Sequence, residues 1–171
     1  MPLYDVAHAI PLTQSQKDAL AEAITNIHST KFKVPKMFIN VIFTDSTNIA
    51  TYVGGKQRRS NRIVGRVRRG ASRTQEDFNS LCAEIRDAWG RIVHPEHRAP
   101  QLPPTDLELR SVFITGELIA GMKTSFFVPK AGEELAWAQE NYAAFKERAN
   151  AGDEDFVDLV AELKDWLDVD V

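Results

Sequence analysis

Pro2 is a residue whose chemistry depends on the group ahead of it. Removal of Met1 turns its ring nitrogen into a free secondary amine, a base when neutral and an acid when protonated. Burial and neighbouring cations both disfavour the ammonium form, so a proline amine in an apolar pocket near arginines is pushed toward neutrality. A proline is also tolerated as a plain start to a strand, with no chemistry attached. The cations are at hand in KQRRSNRIVGRVRRGASR, residues 56–73, whereas the chain after Gly132 is mostly acidic. A basic patch of this kind invites an anion or a nucleic acid. Cys82 is the only cysteine, which excludes an intramolecular disulfide and a thiolate zinc site within one chain. It falls on an apolar helix face and reads as a packed thiol. His94 and His97 have a spacing that a metal could use, but they lie in a proline-rich stretch without a thiolate or paired carboxylates, so no metal is expected. His8 reads as a packed strand histidine.

These residues need a scaffold, and the hydrophobic pattern supplies one. PLYDVAHAI alternates as a strand, with Leu3, Asp5 and Ala7 on one face and Tyr4, Val6 and His8 on the other. Thr13 is placed to cap a helix carrying Leu20, Ala23, Ile24 and Ile27, which the chain leaves between His28 and the breaker Pro35. MFINVIFTD, residues 37–45, reads as a buried strand and completes one βαβ unit. The pattern then repeats, with a strand over residues 62–69, a helix over 74–93 and a strand over 107–116. In that second helix Phe78, Leu81, Cys82, Ile85, Trp89 and Ile92 form one stripe. The expected class is therefore α+β, with tandem βαβ units. Residues 131–171 carry two amphipathic patterns, Leu135, Ala138, Tyr142 and Phe145, then Phe156, Leu159, Val160, Leu163 and Leu167. They read as a helical extension for packing or assembly behind a main unit of residues 1–130, with its acidic residues as a solvated face.

Five segments in order along the chain carry a resemblance: PLYDVAHAIPLTQSQKDALAEAITNIH at the start, VGGKQRR at 53–59, RVRRG at 66–70, ITGE at 114–117 and FVPKAGEE at 127–134. Together they resemble the tautomerase superfamily, in particular the group around cis-3-chloroacrylic acid dehalogenase, over nearly the whole chain. The resemblance implies two βαβ units forming a four-stranded sheet with two helices on one face, and a homotrimer. It also implies a mechanism in which an amino-terminal proline moves protons or activates water while arginines bind the substrate carboxylate. Pro2, Tyr4 and His28 fall on matching positions, and Arg68 matches the first carboxylate-binding arginine. The second arginine of the dehalogenase directly follows a glycine, but here Ala71 follows Gly70, leaving Arg69 or Arg73 to supply the charge. Ile114 stands where the dehalogenase has a tyrosine, and its catalytic glutamate has no counterpart in LIAGMKTSFFVP. With that water-activating carboxylate missing, keto-enol tautomerisation of small 2-oxo or unsaturated carboxylic acids is favoured over dehalogenation. No cofactor is implied. His28 has a plain alternative as a charged residue near a helix C-terminus.

At 171 residues the chain fits one domain or two small similar halves, and 43% hydrophobic with 26% charged residues is the balance of a folded globular protein. No apolar run approaches the ~20 residues needed to span a membrane. The first residues lack a signal-peptide pattern, so a cytoplasmic protein is expected. A nucleic-acid-binding protein remains the rival reading of the arginines. The net charge of -3, the pI near 5.8 and the lack of aromatics among the arginines argue against it. A third class is a non-catalytic descendant that kept the fold for assembly.

Overall fold

The computed structural model describes residues 1–97, 103–116 and 120–167. Glu117 of the ITGE segment, residues 118 and 119, part of the proline-rich stretch after His97, and the side chain of Leu167 lie outside what is described. The first unit runs β1 (Leu3–His8), α1 (Gln14–Phe32), a 3-10 turn at Lys36–Phe38 and β2 (Asn40–Asp45). A small hairpin of β3 (Tyr52–Val53) and β4 (Lys56–Gln57) leads to the second unit, β5 (Asn61–Arg66), α2 (Gln75–Val93) and β6 (Leu109–Thr115). A second hairpin, β7 (Met122–Lys123) and β8 (Phe126–Phe127), precedes α3 (Glu134–Asn150) and α4 (Glu154–Leu167).

The strands form one four-stranded sheet in the order β2-β1-β5-β6. β1 and β2 pair in parallel, as do β5 and β6, because each pair is joined by a helical crossover. The two units meet where β1 and β5 run antiparallel. Both crossover helices begin with a reciprocal cap. Thr13 accepts the Gln16 backbone N–H while the Gln16 side chain accepts from the Thr13 backbone N–H, and Thr74 with Asp77 repeats the arrangement at α2. α1 continues one turn beyond His28 and stops at Phe32, where Lys33 turns left-handed (φ 52°) and Pro35 denies Val34 the helical region.

Tyr4 and Val6 of β1 and Ile63 of β5 meet Leu20 and Ile24 of α1 and Leu81, Ile85 and Trp89 of α2 in the main core. The helices thus cover one face of the sheet. α3 and α4 close a second cluster of Ala138, Phe145, Phe156, Leu159 and Leu163. Trp137 and Met37 are partly buried against both clusters. The strand expected over 37–45 starts only at Asn40, because the chain after Pro35 spends Lys36–Phe38 in a 3-10 turn. The strand expected over 62–69 stops at Arg66. Its partner β6 ends at Thr115, whose carbonyl accepts the Val67 N–H at 2.8 Å.

Candidate active site

β1 carries the start of the chain into the sheet and fixes Pro2, which is buried and whose carbonyl accepts the Asn40 backbone N–H (3.0 Å) and side-chain amide (3.4 Å). Two residues on, Tyr4 points into the core and meets His28 from α1, with its hydroxyl 2.6 Å from His28 Nδ1. Both side chains are fully buried. Burial, with Arg73, the chain amine and Arg68 adding to it, lowers the His28 pKa to about 3, so the imidazole is neutral. Burial likewise raises the Tyr4 pKa and keeps the phenol protonated. The other ring nitrogen of His28, Nε2, is buried without a hydrogen-bond partner among the described residues. A charged histidine at the helix end is thereby set aside: His28 lies a turn inside α1 and carries no charge.

The chain past β5 brings the arginines to this end of the sheet. Arg62 and Arg66 are exposed, but strand alternation ends at Arg66, and both Val67 and Arg68 turn inward. Arg68 Nη2 lies 3.2 Å and Arg73 Nη2 2.8 Å from Oε1 of Glu134, the first residue of α3. All three side chains are buried. Glu134 Oε2 accepts the Gly132 N–H at 2.6 Å, and Arg73 Nη1 donates to the Arg68 carbonyl at 3.0 Å. Arg73 also stacks over Phe32, 4.6 Å from its ring centroid, and Phe32 in turn packs against the His28 ring. This links the arginine cluster to the tyrosine–histidine pair. Gly70 makes the cluster possible, since a Cβ there would stand 2.8 Å from Ala131 Cβ and 3.0 Å from the Ala131 carbonyl oxygen. Only a glycine lets the arginine loop lie against the loop that presents Glu134.

The chain amine sits beside these charges. It belongs to Met1 here, whose side chain packs against the main core. Desolvation first, then Arg68 and Arg73, lowers its pKa from 8.0 to about 5, against the opposing pull of Glu134. Arg68, which acts on this amine, also lines a cleft of about 480 Å³ together with Arg69, Gly116, Val128 and Lys130 among others. A neutral amine near a buried guanidinium that itself lines a cleft is the chemistry needed to take a proton from a bound acid and hold its carboxylate.

Of the residues singled out in the sequence, the structure brings Tyr4 together with His28, and Arg68 together with Arg73 and the chain amine. Arg69 is exposed at the rim and lies outside the ion cluster. Glu134 ends the FVPKAGEE segment that carries the resemblance but has no assigned role there, because nothing in sequence spacing ties it to Arg68. Cys82 is half-buried, burial raises its thiol pKa, and its sulfur lies 3.9 Å from the Val112 carbonyl, consistent with packing. His8 is buried with Nδ1 2.7 Å from the Ile10 carbonyl. Among the described residues no group of three or more His, Cys, Asp or Glu is gathered to hold a metal, and no helix is long and apolar enough to cross a membrane.

The model of one protein family, described as "Putative oxalocrotonate tautomerase enzyme", matches residues 1–142. The chain belongs to this tautomerase family. Among solved structures, the family member resembles N1, described as a member of the cis-3-chloroacrylic acid dehalogenase (cis-CaaD) family, with a TM-score of 0.63 at 18% identity, covering 92% of this chain and 99% of that one. It also resembles a fused 4-OT described as a wild type symmetric trimer, with a TM-score of 0.51 at 17% identity over 76% of this chain and 98% of that one. At such identities the likeness is one of fold. No curated protein matches this tautomerase-family chain by sequence.

Proposed function

We propose that the protein is a proton-transfer enzyme that tautomerises small 2-oxo or unsaturated carboxylic acids, with the amine of Pro2 as its base once Met1 is removed. The observation that carries this reading is the chain amine itself, held beside Arg68 and Arg73 with its pKa brought down to about 5. An amine in that setting is neutral at physiological pH and free to accept a proton. Excision of Met1 moves the amine one residue inward, onto Pro2, and withdraws the methionine side chain from the core edge beside the cleft.

In the proposed reaction the substrate carboxylate lies against Arg68, and neutral Pro2 takes a proton from the carbon α to the carbonyl and returns it elsewhere on the molecule. Tyr4 and His28 lie beneath this centre and hold the strand that presents Pro2. In this reading they are positioning residues for Pro2, since both are fully buried and bonded to each other at 2.6 Å. Hydrolytic dehalogenation is the less supported outcome. Among the described residues, the carboxylate beside the amine is Glu134, and its two oxygens are already engaged by Arg68, Arg73 and the Gly132 N–H. A homotrimer fits the description of the fused 4-OT neighbour and the apolar residues left exposed on the open sheet face.

The test is mass spectrometry of the mature N-terminus, followed by phenylenolpyruvate and halogenated acrylates as probes for wild type and Pro2→Ala. Loss of Met1 and a drop in tautomerisation kcat/KM of about 10²–10⁴ in Pro2→Ala are expected. The wild-type rate should fall at acid pH, where the amine gains its proton. Equal activity in the two proteins, or a retained Met1, would sink the proline mechanism.

A further inference from the structure

We infer that Glu134 sets the charge selectivity of the carboxylate site, so that it takes monocarboxylates in preference to dicarboxylates; this rests on the carboxylate-binding reading above. Arg68 lines the cleft and Arg73 stands behind it, so the two guanidinium groups alone would place two positive charges at this side of the cleft. Glu134 lies between them with both oxygens engaged, so the buried cluster of Arg68, Arg73 and Glu134 keeps one net positive charge.

The donors lead to the same count. Arg73 uses one terminal nitrogen on Glu134 and the other on the Arg68 carbonyl, while its plane rests on Phe32. Arg68 uses Nη2 on Glu134 and leaves Nη1 buried without a hydrogen-bond partner. A buried guanidinium N–H without an acceptor is costly, and a carboxylate oxygen of a ligand is the partner that satisfies it. Arg73 is therefore a buttress, and Arg68 is the residue that meets the ligand. At the rim, Arg69, Lys130 and Glu133 are exposed, where water and salt screen them, and they are common to every variant compared below. Among the described residues a second carboxylate on the ligand finds no buried cation left to pair with, and burying it unpaired is unfavourable.

The test is calorimetric titration of the full-length protein with acrylate and with maleate, which differ by one carboxylate. Wild type is expected to bind acrylate more tightly. Glu134→Gln keeps the shape and restores the second positive charge, and should shift the affinity ratio toward maleate by about tenfold or more. Tighter maleate binding by wild type, or a ratio unmoved in E134Q, overturns the inference while leaving the carboxylate reading standing. Failure of wild type to bind either acid overturns both. Removing a carboxylate from between two buried guanidinium groups can cost a fold its stability. Glu134→Asp is the second variant, which retains the charge with a shorter reach. It should keep the preference for acrylate even if both affinities fall, and a switch to maleate in E134D would equally overturn the assignment.

Discussion

His28 shows how much one side chain can owe to its surroundings. Free in water it would take a proton near pH 6.5, but inside the core beside Tyr4 its pKa lies at about 3. The unfolded chain therefore binds a proton across that window and the folded chain does not. Stability then rises with pH through the window and levels off above pH 6.5, with a slope of up to about 1.4 kcal/mol per pH unit from this group. His28→Gln retains an acceptor for the Tyr4 hydroxyl and has no proton to gain. Urea unfolding at pH 5 and pH 7 should show a smaller stability loss at pH 5 in H28Q than in wild type. An identical loss in both would mean that His28 does not titrate in the unfolded chain alone. The chain amine is depressed in the same direction but is shared by both proteins, so it drops out of the comparison. At this scale Pro2, Tyr4, His28 and Arg68 were legible as a set, through motif order. Glu134 closes one of those motifs, but its role was not legible, because that role comes from a contact with Arg68 across 66 positions of chain.

The elements were more legible than their ends. Alternation in β1 and the stripe along α2 are local properties, and they set the tandem βαβ order without knowledge of any contact. Strand ends depend on a partner, and β5 stops at Arg66 where its partner β6 ends at Thr115, so the strand expected over 62–69 does not carry its alternation to Arg68, which is buried. Gly65 marks another place where an element is shaped by its neighbour. It sits opposite Tyr4 in the β1–β5 pairing, and a Cβ there would stand 2.7 Å from Tyr4 Cε1 and 2.8 Å from Ile114 Cδ1. Tyr4 is fully buried against His28 and has nowhere to withdraw. Gly65→Ala should therefore destabilise the fold by about 1–3 kcal/mol through overpacking. Denaturant unfolding measures this directly. An alanine variant as stable as wild type would show that the Tyr4 ring can shift and that its contact with His28 is loose.

The whole molecule leaves one face of its sheet open. Ile42, Asp5, Val64 and Phe113 lie in a single row across all four strands, while the next row, Phe43, Val6, Ile63 and Val112, faces the helices. Ile42 is 46% and Phe113 55% exposed in the single chain, which is a poor arrangement for two large apolar side chains on a sheet surface. Asp5 is the charge in that row, and one of its carboxylate oxygens accepts the Thr44 hydroxyl at 2.9 Å. A closed ring of three copies would bury such a face, consistent with the proposed homotrimer. Light scattering coupled to size exclusion should then give three times the chain mass of 19.2 kDa. Phe113→Asp puts a carboxylate into the covered face while touching nothing that the single chain buries deeply. It should lower the mass toward one chain and leave the circular dichroism spectrum unchanged. A wild-type mass of one chain, or a trimer that tolerates F113D, would place the assembly surface elsewhere. The hairpins, whose Tyr52 and Phe127 are 63% and 75% exposed, would be the next surfaces to test.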